Sequence, residues 1–441
     1  MNSDRIHSLF ITLTFLFLAI GLQVQMSVFE TASSEGIRIG LADFFLPLAG
    51  VFVLASLLLK KSSWPHWQAP FSYVWLVALS LVMTYALLHG RMATGEWSSW
   101  ALINKYAGWC VLLAYLGLGA WLARNATCTD IKKFIFYFIC CFLLVSAITA
   151  GLMIVRGYCT TQDFECGHIP NHFQLKGLMD NRNAYGLLLN TMAVMIILFS
   201  WRNDSFLPRW LAPVFWIMAP TLVLLDGSRI LWLTLPVLMA FFLFVDWKKT
   251  LRIIVPCVLV GTLLFVGLAA PKQKDMVMKR LNIITQPYKH PEAAPLPPEH
   301  GALNGTMKDR GDNVRLYTYK TALQVWQQDK IFGGGLGSVM RAQDLNHEVP
   351  YVVDNTALWI IAEMGAVGLF FFTACFVCIL LALQAKLQQS GFQNNLALSV
   401  CLIALTFAAF SLVHEMMYTR FLWFFLGLAL VIPKTRQAGQ D

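Results

Sequence analysis

Residues 176–201 read KGLMDNRNAYGLLLNTMAVMIILFSW. From Leu187 to Trp201 the stretch is almost wholly apolar, whereas Lys176, Asp180, Asn181, Arg182 and Asn183 crowd against its start. A run of about 18–20 apolar residues is the length of helix that crosses a hydrocarbon layer roughly 30 Å thick. Only a helix or a closed barrel satisfies its own backbone there. The segment therefore reads as a spanning helix with a bare arginine at its rim. A second such place is DGSRILWL, Asp226 to Leu233, where Arg229 opens another apolar run.

Working outward, the same pattern recurs along all 441 residues, of which 57% are hydrophobic and 13% charged. With a mean hydropathy of +0.60, this is the composition of an integral membrane protein rather than of a soluble core. The reading is an all-α integral membrane protein with twelve transmembrane helices, at about 7–25, 40–59, 71–89, 101–122, 133–155, 183–200, 210–225, 230–246, 252–270, 356–384, 396–413 and 419–433. The first of these is long and lacks a small-residue cleavage site, so it is expected to be a span and not a removed leader.

Lysines and arginines fall in alternate short loops: Lys60 and Lys61, Arg124 with Lys132 and Lys133, Arg202 and Arg209, Lys248 with Lys249 and Arg252, and Lys434 with Arg436. The positive-inside rule makes that side the cytoplasm and places both termini there. The net charge of +9 is then largely topological, and no nucleic-acid partner is implied.

The expected organisation is residues 1–270 carrying the first nine spans with an outer loop near 156–182, a large periplasmic loop over 271–355 containing amphipathic helices before the tenth span, and residues 356–441 carrying the last three spans and a cytoplasmic tail. Within the large loop, Leu316, Tyr319, Leu323 and Trp326 recur at helical spacing and predict an amphipathic helix lying on the bundle or at the interface. FGGGLGS follows, a turn whose glycines permit close backbone approach. It lacks the spacing of a nucleotide phosphate loop. Cys159 and Cys166 share the 156–182 loop on the outer side and are candidates for a disulfide; zinc with His168 is the weaker reading.

Polar groups collect at the outer rim: Lys176, Asp180, Asn181, Arg182 and Asn183; Asp226, Ser228 and Arg229; Arg310, Asp312, Asn313 and Arg315; and His347, Glu348, Asp354 and Asn355. Arginine keeps its charge and offers paired planar donors that fit phosphate oxygens, so converging arginines point to a diphosphate held at the membrane surface. The plain alternative for any one of them is snorkelling to lipid headgroups. Lys105, near the outer end of the fourth span, and His414 with Glu415 are further candidates for the cavity wall; His414 reads as a structural hydrogen-bonding residue.

The order GLMDNRNAYG, DGSR, RLYTYKTALQVWQQDKIFGGGLGS and DNTALWIIAEMGAVG resembles the O-antigen ligase and polymerase superfamily over roughly residues 170–370. The resemblance implies a glycosyltransferase of the bacterial inner membrane that moves a glycan en bloc from undecaprenyl diphosphate at the periplasmic face, with no metal and no cofactor. The implied acceptor is the lipid A core for a ligase, or a second lipid-linked glycan for a polymerase, and the ligase reading is preferred. Arg182, Arg229 and Arg315, joined by Lys105, are expected to bind the diphosphate, with Asn183, Ser228 and Asn355 supporting.

The family's His-Asn, nine residues, Gly, two residues, Gly frame appears here as Asp354-Asn355, Gly365 and Gly368, with Asp in place of His. Asp354 is expected as the base, its pKa raised by shielding under the loop, with His347 as substitute. Asp354 also stands where a helix N-cap belongs, the plain reading of that residue. A lipid-linked oligosaccharide flippase is the remote alternative. Transporters tend to place ionisable groups at mid-membrane and to repeat their halves, and neither pattern is seen here.

Overall fold

The computed structural model describes residues 3–28, 37–158, 175–179, 181–202, 204–271, 273–278, 307–344, 352–389 and 391–432. The chain is nearly all helix. The first helices are α1 (Ser3–Gly21), α2 (Leu46–Leu58), α3 (Tyr73–Thr94), α4 (Gly108–Asn125) and α5 (Cys128–Tyr158), followed by α6 (Arg182–Trp201), α7 (Leu211–Asp226), α8 (Arg229–Lys249) and α9 (Val255–Leu268). Next come α10 (Met307–Gln328) and the short α11 (Ser338–Asp344), and the chain closes with α12 (Thr356–Leu387), α13 (Phe392–Ser411) and α14 (Arg420–Leu430).

Among the described residues, seven helices are long and apolar enough to cross a bilayer: Tyr73–Thr94, Trp100–Asn125, Cys128–Arg156, Arg182–Trp201, Asp246–Leu268, Thr356–Leu387 and Phe392–Ser411. Five shorter apolar helices, Arg5–Gly21, Leu46–Leu58, Leu211–Asp226, Arg229–Phe244 and Arg420–Leu430, occupy the positions of the remaining expected spans.

The bundle is organised around α6. Every residue from Asn183 to Phe199 is buried, whereas the long apolar helices over 246–268 and 356–387 keep most of their surface outward. A helix enclosed by protein can afford polar groups only if its neighbours satisfy them. Tyr185 donates to Ser146 Oγ of α5 at 2.9 Å and Asn190 donates to Thr234 Oγ1 of α8 at 2.6 Å. α14 is likewise enclosed from Phe421 to Leu430. It lies against α4 through Gly427 and Gly119, where an added Cβ would come within 2.2 Å of Leu116 O and 2.3 Å of Phe424 O. In lipid, helices associate by such close packing at small residues.

Three features depart from the sequence reading. Gln25–Val28 and Ile37–Gly40 pair as an antiparallel hairpin between α1 and α2, a minor exception to an all-α fold. Trp100–Ala107 is a widened π-type helix leading into α4. On α10 the buried face is Thr318, Thr321, Ala322 and Val325, while Leu316 and Leu323 are 51% and 42% exposed. The helix turns its small residues to α12 and its large aliphatic ones outward.

Candidate functional site

The starts of α6, α8, α12 and α14 and the ends of α7 and α13 fall at one end of the bundle, and most of the polar groups expected at the outer rim fall there too. Asn181 caps α6, its Oδ1 accepting from the Asn183 backbone N–H at 2.8 Å, so Arg182 is the first residue of that helix. α7 ends on Asp226. Gly227 follows with φ 62°, the left-handed conformation that favours glycine, and Ser228 turns the chain into α8 so that Arg229 opens it. Buried Asn183 ties these pieces together. Ser228 Oγ donates to Asn183 Oδ1 at 2.9 Å, Asn183 Nδ2 lies 3.1 Å from His414 Nδ1, and the Ser228 N–H donates to Asp226 Oδ2 at 2.9 Å.

Arg182 lies within electrostatic reach of Asp226, Arg315, Arg229 and Asp354. Three arginines from three helices therefore share one field. Arg315, on α10, donates from Nε to Asp354 Oδ2 at 3.1 Å, and the Tyr319 hydroxyl donates to the Asp354 carbonyl at 3.0 Å. Those contacts dock the helix after the long loop onto the start of α12.

Asp354 is not the N-cap of α12. Asn355 is: its Oδ1 accepts from the Leu358 N–H at 2.8 Å and its Nδ2 donates to the Leu412 carbonyl at 2.7 Å. The side chain of Asp354 is left 41% exposed, and the nearly buried His414 stands behind it, Nδ1 to Oδ1 3.9 Å. Burial opposes ionisation of Asp354, but the neighbouring His414, which carries charge at the acidic pH where the carboxyl titrates, and the Arg315 guanidinium outweigh it and hold the carboxyl below its usual range. That reverses the expected upward shift. Shielding is present, and a cation beside the carboxylate overrides it. Burial lowers the His414 pKa, and the Arg315 and Arg182 charges add to this against the pull of Asp354. The imidazole is thus neutral near pH 7, and its link to Asp354 is best described as polar contact rather than an ion pair.

The glycine turn holds this end together from the side. Gly333, Gly335 and Gly337 all have φ between 71° and 82°. Leu336 N–H donates to Ala86 O of α3 at 2.8 Å and Gly334 N–H to Ala362 O of α12 at 2.9 Å. α12 is interrupted at Gly365, with φ 65° and ψ −167°. There the Ala366 and Val367 N–H groups donate to Lys330 and Ile331 carbonyls at 3.0 and 3.1 Å, so the backbone groups freed by the break are answered by the turn. Buried Glu363, just before the break, accepts from Gly337 N–H and Trp359 Nε1, both at 2.9 Å.

Not every expected site residue joins the arginines. Lys105 is buried on the π-type helix and forms an ion pair with Glu415, with Trp359 at 4.2 Å and Tyr418 at 5.2 Å around its ammonium. Its charge is answered within the protein rather than left facing the arginine cluster. His347, Glu348 and Asp180 lie outside the described residues, as do Cys159, Cys166 and His168, and the side chains of Arg310, Asp312 and Asn313 are not among those described.

Sequence reasoning missed Glu363, and it missed Asp43, which receives Arg420 Nε at 2.7 and 2.9 Å and Nη2 at 2.6 Å. A single acid inside an apolar run was the available signal for Glu363. For Asp43 and Arg420, 377 residues apart, only opposite charges at two span ends pointed to a pair.

Residues 213–373 match the family model described as O-antigen ligase. No curated protein matches the chain.

Proposed function

From the match of residues 213–373 to the O-antigen ligase family model, we propose that this chain is a ligase-type glycosyltransferase of the bacterial inner membrane. The seven long helices cross the bilayer, the five shorter apolar helices complete the twelve spans together with their flanking residues, both termini are cytoplasmic and the arginine end faces the periplasm. There a glycan passes from undecaprenyl diphosphate to a hydroxyl of the lipid A core. The observation that carries the reading is the shared field of Arg182, Arg229 and Arg315 around the Asn183, Ser228 and Asp354 network. Several guanidinium groups placed where a diphosphate leaves can stabilise the charge that grows on it.

The acceptor oxygen attacks the anomeric carbon, the bond from that carbon to the diphosphate breaks, and the hydroxyl proton goes to a base. Asp354 is that base, because it is the exposed member of the Asp354 and His414 pair. Its low pKa belongs to the resting protein, where Arg315 holds it. An arriving diphosphate competes for Arg315 and adds negative charge nearby, and both effects raise the basicity of the carboxylate. The donor thereby primes the base that its own transfer needs.

The test is purified protein given undecaprenyl-diphosphate-linked glycan, with and without lipid A core. Glycan appearing on the core supports the ligase. Chain growth without core makes the acceptor a second lipid-linked repeat and the protein a polymerase. Neither product, from protein that binds the donor, overturns the transferase reading.

A further inference from the structure

The chain from α10 to α11 runs down the side of α12 and back up again. At the rim, Arg315 and Tyr319 meet Asp354, just before α12 begins. Further along, the Lys330 and Ile331 carbonyls accept from Ala366 and Val367, after which Gly334 returns to Ala362 and Gly337 to Glu363. The contacts on α12 thus advance to Val367 and then retreat, which makes the glycine turn the low point of a hairpin. α3 records the same path. The Phe332 ring lies 5.1 Å from that of Tyr85, the Leu336 N–H donates to Ala86 O, and Gly337 lies beside Ser98, beyond the end of α3.

Helix rise converts these pairings into depth. Val367 is roughly 16 Å along α12 from its start at Thr356, and Tyr85 is roughly 18 Å along α3 from Tyr73. Both helices are long and apolar enough to span, and a hydrocarbon core is about 30 Å thick, so the turn falls within the length of the spans. Irregular backbone at such depth is tolerated only where protein satisfies it. Here it is satisfied: the Ile331 and Phe332 N–H groups donate to Asp329 Oδ1 at 3.1 and 3.0 Å, Gly333 N–H to Asp329 O at 2.9 Å, and Gly334 and Leu336 to α12 and α3. A turn lying in water could leave those amides to solvent. The side chains at the tip face the other way, Ile331 being 59% and Phe332 39% exposed. They continue the outward face of α3, where Leu81 and Leu88, flanking Tyr85 at helical spacing, are 65% and 46% exposed. Lys330, exposed beside them, has the reach to bring its ammonium to the headgroups, which sets the tip at the boundary of acyl chains and headgroups.

We infer that α10, the glycine turn and α11 form a re-entrant hairpin whose tip, Ile331 and Phe332, is immersed in lipid in the leaflet on the arginine side. The inference stands without the transferase reading, and the orientation proposed above only names that leaflet as the outer one. It is tested with a nitroxide on single-cysteine variants of the full-length protein in phospholipid nanodiscs, by comparing relaxation from oxygen, which concentrates in lipid, with relaxation from a water-soluble nickel chelate. Ile331→Cys and Phe332→Cys report on the tip, Leu81→Cys on a lipid-facing span and Arg209→Cys on a water-facing loop. The ratio of oxygen to nickel accessibility at both tip positions should be several-fold above that at Arg209 and approach that at Leu81. Ile331 is bonded here through its backbone alone, so its variant keeps the test open if loss of the Phe332 ring disturbs the packing on Tyr85. A tip ratio equal to that at Arg209 would place the turn in water and overturn the inference. Exclusion of both reagents from the tip would overturn it as well, since the surface would then be covered by another part of the chain or a second copy.

Discussion

At the scale of single residues, Asp354 carries the sharpest consequences. Because Asn355 and not Asp354 caps α12, Asp354→Asn leaves the helix start intact and removes only a charge and a proton acceptor. Turnover is expected to fall by about a hundredfold to ten-thousandfold, the usual contribution of a positioned base, with undecaprenyl diphosphate binding retained; full turnover in this variant would move the base to another group. The pH profile of kcat/KM separates Asp354 from His414. Starting from an ordinary carboxylate value of 3.8, Asp354 is shifted down, so the rate should be flat from neutral pH to about pH 5. If His414 were the base, the rate would instead fall as pH drops through its own lowered value, below 6.5 but above the depressed carboxylate.

Stability follows the same shifts with a definite sign. His414 is depressed in the folded protein, so its neutral form favours folding, and that contribution disappears as pH falls from the unfolded value near 6.5 to the lower folded one. Asp354 contributes stability above its unfolded value, lost only as pH falls through its still lower folded one. Thermal unfolding between pH 7.5 and 5.5 should therefore decline more in wild type than in His414→Gln. The arginines are tested by chemistry rather than charge: Arg182→Lys and Arg229→Lys keep the cation and lose the paired planar donors, and both should fail to restore transfer. Near-normal transfer by both, at normal protein levels, would return them to headgroup anchors.

Among the elements, α12 shows most clearly what a sequence frame means physically. The interval from Asn355 to Gly365 is the interval from helix cap to helix break. Gly365 sits at φ 65° and ψ −167°, a region open essentially to glycine alone, and an added Cβ would stand 2.1 Å from the Ile331 carbonyl. Gly365→Ala is expected to cost about 1–3 kcal/mol in backbone strain, with the overlap added. It should release the glycine turn, seen as faster proteolysis between α10 and α12 and a lower Tm; an unchanged Tm would mean the turn is not locked there.

The frame itself was legible as residues at fixed spacing, and so were Arg182 and Arg229, because a charge at the start of an apolar run stands out, whereas Arg315 was picked out by the family resemblance and the polar group around it. The buried face of α10 was not. Hydrophobic periodicity selected Leu316 and Leu323, but beside a membrane the larger aliphatic residues can turn outward and the small ones, Thr318 and Ala322, make the protein contact. The pairing of Lys105 was hidden for a related reason: a lone lysine in a span looks available until Glu415, 310 residues away, is brought against it by the fold.

For the molecule as a whole, everything rests on which end of the bundle faces out. The end opposite the arginine cluster is bound together by basic side chains acting on carbonyls: Arg124 donates to Ile432 O at 2.9 Å and Lys249 to Trp201 O at 3.0 Å. Those residues belong to the loops whose lysine and arginine excess marks the cytoplasmic side. Helix order thus separates two kinds of positive charge, one spread over short loops and one gathered at the opposite end with Asp226 and Asp354 among it. In the proposed orientation this positive cluster lies on the translocated side, against the bias that orients membrane proteins, and the proposed anionic donor would account for it. Single-cysteine labels at Ser62 and Gly439 should accordingly react only after the inner membrane is opened, and one at Ala302 should react in intact spheroplasts. Ser62 lies at the basic end, next to Lys60 and Lys61, while Ala302 falls in the long segment leading into α10. Ala302 protected until the membrane is breached would put the arginines in the cytoplasm, where a lipid-linked periplasmic glycan cannot reach them.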